Sequence, residues 1–81
     1  MANRTAEGNV TAEARRRYGM GSRGVYPIFD RASALAAIKL RHHGDVDPAR
    51  ILARAARWAR AHNDDVVLAA VARAREVDRR R

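Results

Sequence analysis

Residues 24–44 read GVYPIFDRASALAAIKLRHHG, and this segment is informative about the fold because it joins an apolar segment to a complete helix signal. Pro27 favours an extended conformation in the residue before it, so we predict an extended apolar strap over residues 25–29. Asp30 is a typical N-cap, and Gly44 is the residue type that ends helices in the left-handed conformation. The stretch therefore predicts a helix over residues 31–43.

Two further helices follow. Asp47-Pro48 is an N-cap with proline at the first helical position, which predicts a helix over 48–61. Asp64 and Asp65 supply acidic charge to the first turn of another helix, over 64–79. Its expected inner face consists of Val66, Val67, Ala70, Val71, Ala74 and Val77. The fold class is all-α, with a three-helix domain over residues 24–81.

The N-terminal part has a different composition. Residues 1–10 are small and polar, and Thr11 could cap a short helix over 12–18 that stops at Gly19. A glycine-containing loop follows over residues 19–24. We therefore expect residues 1–23 to form a flexible basic arm.

Length and charge narrow the classes of function. A chain of 81 residues forms one domain, and its net charge of +8 indicates an anionic partner. Arg provides 16 of the 17 basic residues, which fits either codon bias or the binding of phosphate and carboxylate groups. There is no Cys, and the longest apolar run, residues 66–72, is too short to cross a bilayer. We expect neither a disulfide framework nor a membrane partner.

A basic ridge is expected on the second helix, because four arginines recur at helical spacing with no acidic residue between Pro48 and His62. The ridge consists of Arg50, Arg54, Arg57 and Arg60. Arg15, Arg16 and Arg17 form a second basic cluster in the N-terminal arm. Both sets could contact phosphates or an acidic protein face; the alternative is a solvated outer surface.

The strap supplies a candidate docking or core hook. We expect Pro27, Ile28 and Phe29 to pack under the helices, with Trp58 in the same cluster and Tyr26 beside it. Such a hook could also dock on a protein partner, since an alanine-rich core buries little area of its own.

Catalytic and metal chemistry find little support. His42, His43 and His62 with Asp45 and Asp47 could suggest a metal site, but adjacent histidines point in different directions on a helix. The aspartates at 30 and 47 are explained by capping, and no acid–base pair remains. We predict no enzyme activity, no metal and no cofactor.

Residues 12–62 carry a recurring set of motifs. These are the basic stretch 14–17, the Gly-Val-Tyr-Pro-Ile turn, an acidic cap, an alanine-rich helix, a short break and the segment Ile-Leu-Ala-Arg-Ala-Ala at 51–56. The set resembles a small domain found within or beside prohead protease, capsid and other head-region proteins of tailed phages. This chain departs from that pattern by adding a helix after Asn63 and by standing alone. The resemblance implies a phage particle or its assembly and supplies no catalytic residues.

Together these features predict a non-enzymatic phage structural protein, a minor capsid or virion-associated component present in many copies. Its partners would be capsid or other virion protein and packaged DNA, and its location the virion, with the host cytoplasm during assembly. The alternative is a small sequence-nonspecific nucleic-acid-binding or regulatory protein in the host cytoplasm. Base-specific readout is disfavoured, because Asn63 is the only Asn or Gln beyond residue 9. A third candidate is a phage inhibitor that blocks a host protein by mimicking DNA. Such an inhibitor would need an acidic surface, and this chain is basic.

Overall fold

The structure, a computed structural model, describes residues 3–20 and 25–81, and that part of the chain contains four helices. They are α1 (Ala12–Tyr18), α2 (Arg31–Lys39), α3 (Pro48–Ala61) and α4 (Asp65–Arg79). The all-α prediction is confirmed; the count of three helices is not. α2, α3 and α4 pack against one another, and the described residues add only two isolated β-bridges. Most of the predicted 19–24 loop, with the arm boundary at residue 23, lies outside the described residues.

Each helix begins at a side chain that caps it. The side-chain oxygens of Thr11, Asp47 and Asp64 accept hydrogen bonds from free amides in the first turns of α1, α3 and α4. At α2, Asp30 and Ser33 form a reciprocal capping box, in which each side chain binds the other residue's backbone. These caps are local in sequence, and α1 and α3 have the bounds that the sequence predicts.

α2 is shorter than predicted, and Gly44 does not end it. The helix stops at Lys39, and the guanidinium of Arg41 donates a 2.7 Å hydrogen bond to the carbonyl oxygen of Ile38. The carboxylate of Asp78 in α4 accepts two further hydrogen bonds from Arg41. Arg41 therefore satisfies a carbonyl near the helix end. Gly44 does not take the left-handed conformation, since Gly8 is the only described glycine with a positive φ.

Tyr26 is not extended, as the sequence suggested, but has a φ of 54° in the left-handed region. Its hydroxyl donates a 2.9 Å hydrogen bond to the carbonyl oxygen of Leu40, next to the end of α2. The ring packs against the core beside Ile28, which is buried. These contacts offset the local backbone strain and tie the strap, residues 25–29, to the α2–α3 connection.

α3 and α4 join through a tight turn centred on Asn63, whose φ is 52°. The amide of Asp64 donates to the carbonyl oxygen of Ala59 at 2.8 Å, and the amide of Asn63 donates to that of Arg60. This is a Schellman motif with Asn in the position that glycine usually takes. The turn lets Asp64 cap α4 directly after α3 ends.

The core is built mainly from small side chains, so the helices approach closely. Its largest fully buried side chains are Ile51, Leu52, Val67 and Val71. The predicted inner face of α4 is wrong at Val66 and Val77, which are 49% and 53% exposed. The buried stripe follows Val67, Val71 and Ala74 instead, and α3 and α2 are the helices that α4 packs against.

Candidate functional site

The ridge arginines lie on the side of α3 that faces away from the core. The buried face of α3 consists of Ile51, Leu52, Ala55, Ala56 and Ala59. Arg50, Arg57 and Arg60 are exposed on the opposite side. Within the described residues, none of the three forms a salt bridge. Their guanidinium groups are therefore available to an external anion.

Arg54 differs from the other ridge residues because it is half-buried. Its Nη1 donates a 3.3 Å hydrogen bond to the carbonyl oxygen of Gly19, at the C-terminal end of α1. Burial lowers the pKa of Arg54 below its usual value, and the charges of Arg57 and Arg50 lower it further. The ridge is thus a cluster of like charges, and Arg54 also has a structural role.

The second predicted cluster lies on α1, whose C-terminal end is held beside the ridge by the contact of Arg54 with Gly19. Arg15, Arg16 and Arg17 are exposed, and the guanidinium of Arg17 lies 5.6 Å from the centre of the Tyr18 ring. Arg15 lines the same cavity as Arg50. This shared cavity is the reason for grouping Arg15 with the ridge. We call Arg15, Arg50, Arg54, Arg57 and Arg60 the basic surface.

Five other arginines pair with carboxylates, three of them with a partner far away in sequence. Arg4 pairs with Asp30 at 3.1 Å, Arg31 with Asp64 at 2.8 Å and Arg41 with Asp78 at 2.9 Å. Glu76 pairs with Arg79 and Arg80 near the C-terminus. The three distant pairs could not be predicted from the sequence, because the partners are 26, 33 and 37 residues apart and no local pattern links them.

These ion pairs lower the pKa values of three aspartates, namely the N-caps Asp30 and Asp64 and, near the end of α4, Asp78. Hydrogen bonds from Arg41 and His42 lower the pKa of Asp78 far below its usual value. Arg31 lowers the pKa of Asp64. The pKa of Asp30 is also lowered, since bonds from Arg4 and Ser33 outweigh the effect of burial. All three carboxylates are held ionised in the fold.

The predicted hook residues divide between two environments. Ile28 is buried in the core, while Tyr26 and Pro27 are half-buried. Phe29 turns toward the ring of Tyr18, with centroids 5.4 Å apart, and toward the guanidinium of Arg4, 5.2 Å from its centroid.

Trp58 is half-buried and stacks on His62, with centroids 4.5 Å apart. Phe29 and Trp58 line one open cavity of about 400 Å³, together with Tyr18, Arg54, Arg57 and His62. The hook thus contributes Ile28 to the core and Phe29 to this cavity.

The histidines are not brought together. His42 Nε2 lies 2.9 Å from the carboxylate of Asp78, while His62 Nδ1 lies 2.8 Å from the carbonyl oxygen of Trp58. Within residues 3–20 and 25–81, no group of three His, Asp or Glu side chains is arranged to hold a metal ion. None of the helices in this part of the chain is long and apolar enough to cross a membrane.

No family model matches the chain, and neither a curated protein nor a solved structure matches it. The resemblance to the tailed-phage domain rests on the motifs in residues 12–62 and stays a prediction. The basic surface and the neighbouring cavity are the features of this molecule that bear most directly on function.

Proposed function

We propose that this chain is a non-enzymatic structural protein of a tailed-phage particle, a minor capsid or virion-associated component. It binds packaged DNA, or an acidic face of a capsid protein, through the basic surface. The phage context comes from the motif resemblance in residues 12–62. The contact with a polyanion comes from the charge arrangement.

One observation carries the polyanion contact: arginines of α3 lie close together and have no carboxylate partner in the described part of the chain. Arg4, Arg31, Arg41, Arg79 and Arg80 each contact a carboxylate. In the described part of the chain, the five arginines of the basic surface contact none, and the same holds for Arg16, Arg17, Arg73, Arg75 and Arg81. What distinguishes the ridge is that the charges of Arg57 and Arg50 act on Arg54. Clustered like charges repel one another, which raises the free energy of the unbound protein. Binding of phosphates or carboxylates reduces this repulsion.

The shape of the basic surface favours backbone contact over base readout. Arg50, Arg57 and Arg60 lie along about three turns of one helix, and Arg15 of α1 borders the same cavity as Arg50. Exposed guanidinium groups that follow a helix can contact successive phosphates without entering a groove. Binding would then be independent of sequence and sensitive to salt.

A protein partner in the particle is also part of the proposal. The core relies on alanine, and Leu40, Val66 and Val77 remain substantially exposed. A small domain with a thin core gains stability when a partner binds its folded state. We propose that α2, α3 and α4 form the packed unit, that residues 25–29 act as its strap, and that α1 presents its arginines to the partner.

The second candidate is a sequence-nonspecific nucleic-acid-binding or regulatory protein in the host cytoplasm, which would use the same basic surface. The two candidates differ in where the protein ends up. Quantitative mass spectrometry of purified particles, compared with lysate from the same infection, separates them. The structural role predicts many copies per particle that survive a high-salt wash of the particle exterior. Recovery in the lysate alone would contradict it and favour the regulator.

A further inference from the structure

Three of the chain's four aromatic residues line a single open cavity. Tyr18, Phe29 and Trp58 border the cavity of about 400 Å³ beside α3, and Tyr26 is the one aromatic residue outside it. This volume lies within the range of roughly 300–1,000 Å³ typical of small-ligand sites. The rings of Tyr18, Phe29 and Trp58 are only half-buried, so they are accessible to a ligand. We call Tyr18, Phe29, Trp58 and His62 the aromatic groove.

The rings of the aromatic groove are held in two pairs. Trp58 and His62 are stacked with an interplanar angle of 17°, and Tyr18 and Phe29 are tilted by 40°. The carbonyl oxygen of Trp58 can only accept a hydrogen bond, so His62 Nδ1 carries the proton and donates to it. This bond fixes the imidazole over the indole before any ligand arrives, which reduces the ordering cost of binding.

Charge selects among ligands that could contact these rings. Arg54 and Arg57 complete the cavity wall, and neither contacts a carboxylate within the described residues. A cationic ligand would be repelled, whereas a planar group joined to an anion satisfies both the rings and the guanidinium groups. An apolar protein segment would cover the rings but leave the two charges unmatched.

We propose that the aromatic groove binds unpaired nucleotides of a single-stranded nucleic acid. A base stacks on the exposed rings, and the adjoining phosphates contact Arg57 and Arg54. In duplex DNA the bases are already stacked inside the helix, so a duplex would contact the ridge and leave the groove empty. The inference rests on the nucleic-acid contact proposed above and adds to it a preference for unpaired strands.

The chain contains a single tryptophan, so its emission reports directly on the groove. The full protein is titrated at low salt with labelled dT12, U12 and a blunt DNA hairpin closed by a non-nucleotide linker, which has no unpaired bases, and binding is followed by fluorescence anisotropy. Unlabelled oligonucleotides of the same sequences are used to follow Trp58 emission. We expect dT12 or U12 to quench Trp58 at saturation, and the hairpin to bind without quenching it. Comparison of dT12 with U12 identifies whether the strand is DNA or RNA.

Two substitutions sharpen the test. Phe29→Leu should weaken single-strand binding roughly five- to 150-fold, the range for loss of one stacking ring, and leave hairpin binding unchanged. Tyr26→Leu is the matched control, because it removes an aromatic ring that lies outside the groove. Circular dichroism verifies that both variants are folded.

The outcomes separate this inference from the proposed function. If single strands bind without changing Trp58 emission, nucleotide binding in the aromatic groove is refuted, whereas the proposed contact of the ridge with DNA is not contradicted. The same conclusion follows if Phe29→Leu weakens hairpin and single-strand binding alike. If no oligonucleotide binds at low salt, both the groove and the DNA contact are refuted.

Discussion

The hydroxyl of Tyr26 occupies the space that a side chain at Gly44 would need. A Cβ built at Gly44 would lie 2.6 Å from that oxygen and 3.2 Å from the ring edge. The sequence suggests that Gly44 ends a helix, but its structural role is to let the strap approach the α2–α3 connection. Position 44 is therefore glycine because the side chain of Tyr26 leaves no room there for a larger residue.

This contact predicts a coupled pair of substitutions. Gly44→Ala should lower the free energy of unfolding by about 1–3 kcal/mol, because the methyl group is forced against the Tyr26 ring. Tyr26→Phe should cost about 0.5–1.5 kcal/mol through loss of the hydrogen bond to Leu40. In the double variant the costs should sum to less, since the closest clash is gone. Strict additivity in urea unfolding would show that the two residues do not touch.

The orientation of α4 predicts that two neighbouring valines contribute very different amounts to stability. Val67→Ala removes two methyl groups from a fully buried site and should cost about 2 kcal/mol or more. Val66→Ala makes the same chemical change at a half-exposed site and should change stability by about 0.5 kcal/mol or less. Thermal or urea unfolding of both variants measures the difference. Equal costs would mean that α4 is rotated from the orientation described.

The Arg41–Asp78 pair predicts a loss of stability in acid. The pKa of Asp78 is lowered in the fold, so its ionised form is favoured there and stabilises the protein above the unfolded pKa of about 3.9. That contribution is lost as the pH falls toward the lower folded pKa. Asp78→Asn should therefore reduce the dependence of the urea midpoint on pH below about 5. Asp65→Asn, which removes an exposed carboxylate of the same helix, should retain most of that dependence. An unchanged pH dependence in Asp78→Asn would refute the role of this pair.

Local signals account for what the sequence could predict. Asp47-Pro48 and Thr11 mark helix starts because a cap acts on amides two or three residues away, and α3 and α1 begin there. The exposed ridge follows from helical spacing alone. The predicted end of α2 is wrong, because the local sequence does not show that Arg41 is bound by Asp78, 37 residues further along the chain. The contact of Arg54 with Gly19 was likewise unpredictable, since it depends on where α1 packs.

The central claim is that the exposed ridge contacts phosphates, and the salt dependence of DNA binding tests it most directly. Arg57→Gln with Arg60→Gln removes two ridge charges and spares Arg54, which also supports α1. Arg73→Gln with Arg75→Gln removes the same charge from exposed positions on α4. Binding to a blunt duplex of mixed sequence is measured by anisotropy across a salt series.

We expect log K to fall linearly with log salt for the wild-type chain, by about 0.9 per phosphate contacted. The ridge variant should bind more weakly on every duplex sequence, with a slope shallower by up to about 1.8, while the α4 variant stays close to wild type. Equal changes in both variants, or no duplex binding even at low salt, would contradict the account.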